Sequence, residues 1–317
     1  MAIPIQSVMH VNVNCSDLER SLAFYRDIVG LTPAAHTNPL PQKGFPMGAG
    51  AEEEPLANAA GPVQWDAWML QDVRGFAGPS VDLLRWQIPS PVGHPYTDPS
   101  HLGFARLGVL VPDIESAHRK ASEAGYRCLS PPGQVPVDPD REARLFVVLD
   151  PDGIRIELIE QAAMTSPQLM FVDVNCSDHA RSLEWYERVL GLEVRGRWGP
   201  GSVRGDVNGI EGDVEWEVAY LFPPGQEAFG IDLVQWHRPA PIGRPYANAN
   251  HLGLYRMAFM VEDIRSCHDE LLRQGVECPA PIWLDMGPDI PIDGLFALFF
   301  PDPDGTCIEL IESPKLG

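Results

Sequence analysis

The sequence of 317 residues lacks an uninterrupted apolar run of about 18 residues, the length that a membrane-spanning helix requires, so no membrane span is predicted. Basic residues are scarce, because 23 Lys and Arg stand against 44 Asp and Glu and the net charge is −21. Nucleic acids and anionic membrane surfaces repel such a chain, so neither is an expected partner. The first residues also lack a basic segment followed by an apolar one, and we expect no secretory signal.

Cysteine is also scarce in this sequence. The six cysteines contain no C-x-x-C pair, so this type of metal or redox motif is absent. Cys15 and Cys176 occupy equivalent places after predicted strands, which favours small buried thiols. This usage predicts a reduced, cytoplasmic setting.

The chain repeats itself. Residues 11–17, 86–114 and 150–160 return in the same order as residues 172–178, 236–264 and 302–312. Hydrophobic residues make up 44% of the composition, which is typical of globular proteins. The duplication and the length predict two tandem domains, 1–165 and 166–317, each large enough for its own core.

Each half is predicted to hold two smaller units of a strand, a helix and several further strands. Residues 8–14 alternate, with His10 and Asn12 on one face, as in a half-buried strand. Ser16 and Glu19 match a capping box for the helix that follows. The Asp-Pro-Asp-Gly sequence at 150–153 predicts a hairpin turn before the last strand of the second unit.

The spacing of the repeats indicates one insertion. Asp17 and Asp178 are 161 positions apart, whereas Trp86 and Trp236 are 150 apart, so the first half carries about eleven extra residues. The insertion falls in residues 39–62, a segment rich in Gly, Pro, Ala and Glu. It is predicted to be a long loop, either a lid over a site or a disordered surface loop.

The motifs at residues 10–11, 16–25, 30–31, 106–109, 113–114, 150–153 and 157–158 resemble the vicinal oxygen chelate superfamily, which contains glyoxalase I, extradiol dioxygenases and bleomycin-resistance proteins. The resemblance occurs twice and covers essentially the whole chain. It implies an α+β fold of tandem glyoxalase-like domains, each with two paired βαβββ units in a half-open barrel. It also implies a site inside the barrel, where inward residues of four strands can hold a divalent metal.

Motif position assigns four inward residues to each half. They are His10, Asp82, Arg106 and Glu157 in the first half and Phe171, Asp232, Arg256 and Glu309 in the second. Arginine has no lone pair to donate, so it cannot be a metal ligand, and no metal cofactor is predicted. Two alternatives stay open for the first half. Either His10, Asp82 and Glu157 hold divalent Fe, Mn or Zn, or Arg106 bridges the two carboxylates in an ion-pair cluster.

The resemblance and the residue chemistry together suggest roles. His10 is able to move a proton near neutral pH, Glu157 would orient it, and Arg106 would hold an anionic group of the ligand. Predicted substrate contacts are Asn12, Trp65, Asp82, Trp86 and His101, and a second pocket would contain Phe171, Asp232, Trp236, Arg256 and Glu309. An inner surface with tryptophans suits a flat organic ligand.

The leading prediction is therefore a metal-independent proton-transfer enzyme, of the isomerase, cyclase or lyase type, that acts on a small aromatic or polyketide-like molecule. One alternative is a non-catalytic protein that binds small molecules or sequesters an antibiotic. The other is a metal-dependent extradiol-type dioxygenase or glyoxalase. The identity of the ligand is open, and the chain is expected to be a monomer or a homodimer.

Overall fold

The computed structural model describes residues 1–38, 41–48, 61–138, 140–287 and 292–312. Of the predicted insertion at 39–62, most residues lie outside these ranges. The chain forms four consecutive units, each with the element order βαβββ. Within the described ranges, no helix is both long and apolar enough to cross a bilayer.

The elements of the four units follow in chain order. The first unit contains β1 (Ser7–Asn14), α1 (Leu18–Phe24), β2 (Thr32–Thr37), β3 (Gln64–Gln71) and β4 (Ser80–Ile88). The second contains β5 (Gly103–Val111), α2 (Ile114–Glu123), β6 (Gly133–Asp138), β7 (Arg141–Leu149) and β8 (Arg155–Glu160). The third contains β9 (Gln168–Asn175), α3 (His179–Val189), β10 (Glu193–Arg204), β11 (Asp213–Phe222) and β12 (Gly230–Arg238). The fourth contains β13 (Gly253–Met260), α4 (Ile264–Arg273), β14 (Ile282–Asp285), β15 (Gly294–Pro301) and β16 (Cys307–Glu312).

These strands form two curled eight-stranded sheets, which confirms the predicted α+β class with paired βαβββ units. The first barrel has the strand order β14-β15-β16-β13-β1-β4-β3-β2 and the second has β10-β11-β12-β9-β5-β8-β7-β6. The first barrel thus joins the first unit to the fourth, and the second barrel joins the second unit to the third. Each barrel takes one unit from each sequence half, so the sites do not form from one half alone.

Antiparallel pairs between the halves join the two units of each barrel at the centre of its sheet. Strand β1 pairs with β13, which places His10 opposite Ala258, and β5 pairs with β9, which places Gly108 opposite Phe171. The alternation predicted for β1 decides what each residue faces. Val8, Val11 and Val13 join the large core shared by both sheets and the helices, whereas a register shift between Val8 and His10 turns Met9 towards the first barrel. Smaller apolar clusters fill the barrels.

The start of α1 differs from the prediction. The cap is Asp17, whose Oδ1 accepts a hydrogen bond from the backbone nitrogen of Arg20 at 3.0 Å. Ser16 instead donates its backbone N–H to Asp152 at 2.8 Å, within the turn at 150–153. The capping box was therefore wrong, because this turn, which does form, already engages Ser16.

Candidate functional site

Four polar side chains meet on the inner face of the first barrel, one from each of β1, β4, β13 and β16. We call His10, Asp82, Arg256 and Glu309 the first cluster. Arg256 donates from Nε to Glu309 at 2.7 Å and from Nη2 to Asp82 at 2.9 Å. The Nε2 atom of His10 lies 3.2 Å from Glu309 Oε2 and 4.0 Å from Asp82 Oδ2. All four residues are buried, at 2–6% exposure.

The charge on Glu309 decides the hydrogen position on His10. Burial by itself would raise the pKa of Glu309, but Arg256 and His10 outweigh it and hold this pKa below its usual value of 4.5. Glu309 is then an acceptor, so His10 carries its proton on Nε2 and donates it. Among the described residues, His10 Nδ1 and Arg256 Nη1 have no hydrogen-bond partner. The first cluster thus keeps one imidazole lone pair and both N–H groups of Arg256 Nη1 unused.

A cavity of about 530 Å³ adjoins the first cluster. His10, Asp82, Arg256 and Glu309 belong to its wall, together with Trp65. Four methionines also line it: Met9, Met69, Met260 and Met286. The thioether side chain is flexible and polarisable, so this wall can adapt to apolar ligands of different shapes.

The second barrel contains a related but more acidic group, which we call the second cluster: Arg106, Glu157, Asp173 and Asp232, from β5, β8, β9 and β12. Arg106 Nη1 lies 2.7 Å from Glu157 Oε2, and its Nε donates to Asp173. Arg106 Nη1 also donates to Asn208 at 3.2 Å. Burial raises the pKa of Asp173 to about 7, and burial with the charge of Asp173 raises the pKa of Asp232 well above normal.

Three substitutions between the repeats separate the two barrels. The position of His10 in the first barrel holds Phe171 in the second, and that of Asn12 holds Asp173. The third difference is Gly108, which stands where the first barrel has Ala258. A Cβ added at Gly108 would lie only 2.4 Å from the Phe171 ring, so the missing side chain makes room for the phenylalanine.

Gly108→Ala is expected to destabilise the protein by about 1–3 kcal/mol, because the methyl group overpacks the wall against Phe171. Urea denaturation measures the loss. The double variant G108A/F171A should recover part of this cost, with a coupling energy of at least about 0.5 kcal/mol. Fully additive losses would show that the two side chains do not compete for space.

The residues that the sequence predicts to form one site lie in two different barrels. His10 and Asp82 lie in the first barrel, while Arg106 and Glu157 lie in the second, so the predicted catalytic set does not assemble. The alternative metal set of His10, Asp82 and Glu157 is divided in the same way. The predicted second pocket also separates, since Arg256 and Glu309 join the first barrel and Phe171, Asp232 and Trp236 join the second. The physical reason is the pairing of β1 with β13 and of β5 with β9.

The remaining predicted contacts have packing roles. Trp86 is 1% exposed, packs against Trp65 with ring centroids 5.8 Å apart, and donates a hydrogen bond to Asn14. In the second barrel, Trp236 donates to Asn175 in the same way. Asn12 is fully buried and donates to Asp82 at 3.2 Å. His101 stacks on Tyr96 at 3.3 Å and is not part of either cavity wall.

Two functional residues were missed. Asp173 contacts Arg106 directly, and Asn208 lies in a short turn between β10 and β11. The signal for Asp173 was present in the repeat, because an Asn-to-Asp difference at an inward position adds a carboxylate to one barrel only. No motif marks Asn208.

Comparison with known proteins agrees with this architecture. The sequence model of the glyoxalase/bleomycin resistance protein/dioxygenase superfamily matches residues 7–158 and again residues 168–310. The chain belongs to this superfamily. A comparison with curated protein sequences gives no significant match.

Two solved structures have the same fold as this chain. Glyoxalase I from Zea mays is 17% identical, with a TM-score of 0.69 over 96% of this chain and 92% of that one. A candidate dioxygenase from Bacillus subtilis subsp. subtilis str. 168 is 13% identical, with a TM-score of 0.65 over 99% of this chain and 87% of that one. Identities this low show a common fold and do not identify the reaction.

The superfamily implies a divalent metal inside the barrel, and the first cluster does not fit one. The two carboxylates that would be ligands, Asp82 and Glu309, both accept hydrogen bonds from Arg256, which is a permanent cation. A divalent ion between them would meet this charge at close range. In the second barrel, Arg106 takes the corresponding place and Phe171 supplies no donor atom.

Proposed function

We propose that the first barrel is an active site in which His10 moves a proton to or from a small, largely apolar organic molecule, without a metal. The observation that carries the proposal is the buried hydrogen bond of 3.2 Å between His10 Nε2 and Glu309, beside an unpaired Nδ1. The predicted triad is thereby replaced by His10, Glu309 and Arg256, with the same three roles.

Each residue supports one part of proton-transfer chemistry. Glu309 accepts from Nε2, which fixes the imidazole tautomer, and Nδ1, a buried atom with an unused lone pair, would serve as the general base. Arg256 keeps Glu309 ionised, and its unpaired Nη1–H can stabilise negative charge that develops on the ligand. One base and one anion stabiliser are sufficient for isomerisation, cyclisation or elimination.

A second candidate is binding without turnover, including antibiotic sequestration. The methionine-lined wall of the first cavity favours it, because adaptable apolar surfaces suit ligand capture more than precise positioning. Binding would not require the His10–Glu309 pair, so the two candidates differ in what loss of the imidazole does.

The setting of the protein also remains a proposal. All six cysteines are free thiols, which supports a reduced, cytoplasmic environment. The expectation of a monomer or homodimer, with a small molecule as partner and no nucleic acid or membrane, stays a prediction.

We expect the protein to accelerate exchange of the acidic ketone α-hydrogens of 2-tetralone with deuterated solvent, and His10→Gln to lower that acceleration by about 100-fold or more. Proton NMR measures exchange, and isothermal titration calorimetry measures binding, which should change by less than about threefold. His268→Gln, on the partly exposed face of α4, is the matched control.

Three outcomes divide the candidates. Binding of flat carbonyl ligands with no exchange above buffer would favour sequestration. Equal exchange in the wild type and His10→Gln would remove His10 from the mechanism. Stoichiometric Fe, Mn or Zn in the purified protein, with activity lost on chelation, would overturn the metal-free assignment.

A further inference from the structure

The second barrel holds a cavity of about 600 Å³ that the proposed reaction does not use. Four aromatic residues line it: Phe171, Trp216, Tyr220 and Phe222. Arg106, Glu157 and Asp232 of the second cluster lie in the same wall. The cavity therefore combines aromatic faces with carboxylates, the two features that bind organic cations in proteins.

The second cluster has more negative charge than its arginine can balance. Three carboxylates surround Arg106, and two of them, Asp173 and Asp232, stand side by side on neighbouring parallel strands. In the first barrel the equivalent neighbours are Asn12 and Asp82, where the amide donates to the carboxylate. An amide next to a carboxylate is favourable, whereas the adjacent carboxylates of the buried Asp173 and the partly buried Asp232 repel each other.

One carboxylate oxygen of the second cluster lacks a hydrogen bond. Asp173 is 2% exposed, yet its Oδ1 has no hydrogen-bond partner among the described residues. Burial raises the pKa values of Glu157, Asp173 and Asp232, so these carboxyl groups keep their protons to higher pH than exposed carboxyl groups do. A ligand cation would supply positive charge in place of such a proton.

The other charged groups around the cavity lie nearer to solvent. Arg141 is paired with Asp138 and its side chain is 76% exposed, and Arg195 is paired with Glu193 at 39% exposure. Arg197 is exposed as well. Water and salt screen these rim charges far more than they screen the buried cluster, so the inner end of the cavity is electronegative.

We propose that the cavity of the second barrel binds an organic ammonium ion with an apolar body, its charge against Asp232 and Glu157 and its body against the aromatic wall. The guanidinium carbon of Arg106 lies 5.9 Å from the centroid of the Trp216 ring, so a cation is already within cation–π range of this aromatic wall. On binding, the cation takes the place of about one proton of the cluster, and this proton is released.

Isothermal titration calorimetry of the full chain tests the proposal with phenyltrimethylammonium and its uncharged isostere tert-butylbenzene. We expect the cation to bind at least about tenfold more tightly than the isostere. Titrations in buffers of different ionisation enthalpy should show release of about one proton at pH 6.5, and affinity should increase from pH 6 to 8.

Asp232→Asn should lower the affinity for the cation by about tenfold or more and should not lower the thermal midpoint, because it relieves repulsion. Asp173→Asn, which recreates the Asn12 arrangement, should act in the same direction. Asp82→Asn, at the equivalent position of the first barrel, should leave the cation affinity within about twofold. Equal binding of the isostere, no binding of the cation at millimolar concentration, or unchanged affinity in Asp232→Asn would overturn the proposal.

Discussion

Replacing Arg256 by methionine is expected to cost about 3–5 kcal/mol of the free energy of unfolding at pH 7.5, measured by urea denaturation. The side chain is buried and donates to both Asp82 and Glu309. Methionine replaces the aliphatic part of arginine but carries no charge, so it leaves two buried carboxylates without the guanidinium counter-ion. The desolvation of these charges is then uncompensated, which is the expensive case.

The loss should shrink as the pH falls. In the wild type, the pKa of Glu309 lies below its unfolded value of 4.5, because Arg256 and His10 overcome the effect of burial. A carboxylate whose pKa is lower in the folded than in the unfolded protein stabilises the fold at pH values above its unfolded pKa. This stabilisation is lost as the pH falls through the folded pKa. Arg256→Met lacks that contribution, so the two proteins should converge towards pH 4.

Arg26→Met is the control, because Arg26 and its partner Asp27 are 51% and 54% exposed at the side chain. This variant should lose little stability, because water and salt screen an exposed ion pair. A loss of that small size in Arg256→Met, with no dependence on pH, would mean that the first cluster is not the buried ion-pair network described above.

The two sequence halves, produced separately as residues 1–165 and 166–317, are expected not to fold as monomers. The first half holds β1–β8, but β1 and β5 would lose their antiparallel partners β13 and β9. Each isolated half would expose two unpaired strand edges and the apolar interiors of two incomplete barrels. In the first half, Asp82 would also be without Arg256, and Arg106 without Asp173.

Near-ultraviolet circular dichroism and urea denaturation test this expectation, and co-expression of the two halves is the matched control. The halves together should co-purify as a one-to-one complex and unfold cooperatively, because every strand pair of both barrels is then available. A monomeric half with native-like near-ultraviolet signal and a cooperative transition would contradict the strand pairing and restore the idea of independent domains.

Local features of this fold could be predicted from the sequence because short-range rules determine them. The alternation in residues 8–14 placed His10 and Asn12 on one face, since strand side chains point to opposite faces in turn. The turn at 150–153 and the four repeated units followed from turn chemistry and the duplication. An arginine between carboxylates in each barrel was also foreseen. The predicted glutamate partner was correct in both barrels, whereas the aspartate partner comes from the other half.

The sequence by itself determined the units, their order, the inward-facing residues and the presence of Phe171 at the repeat position of His10. Only the tertiary structure decided which unit pairs with which, and hence that His10 meets Glu309 while Arg106 meets Asp173. The reason is that β5 and β13 are repeat equivalents, so both present similar edges to β1, and no local pattern distinguishes them. The choice depends on contacts between residues about 250 positions apart, which packing and loop lengths decide.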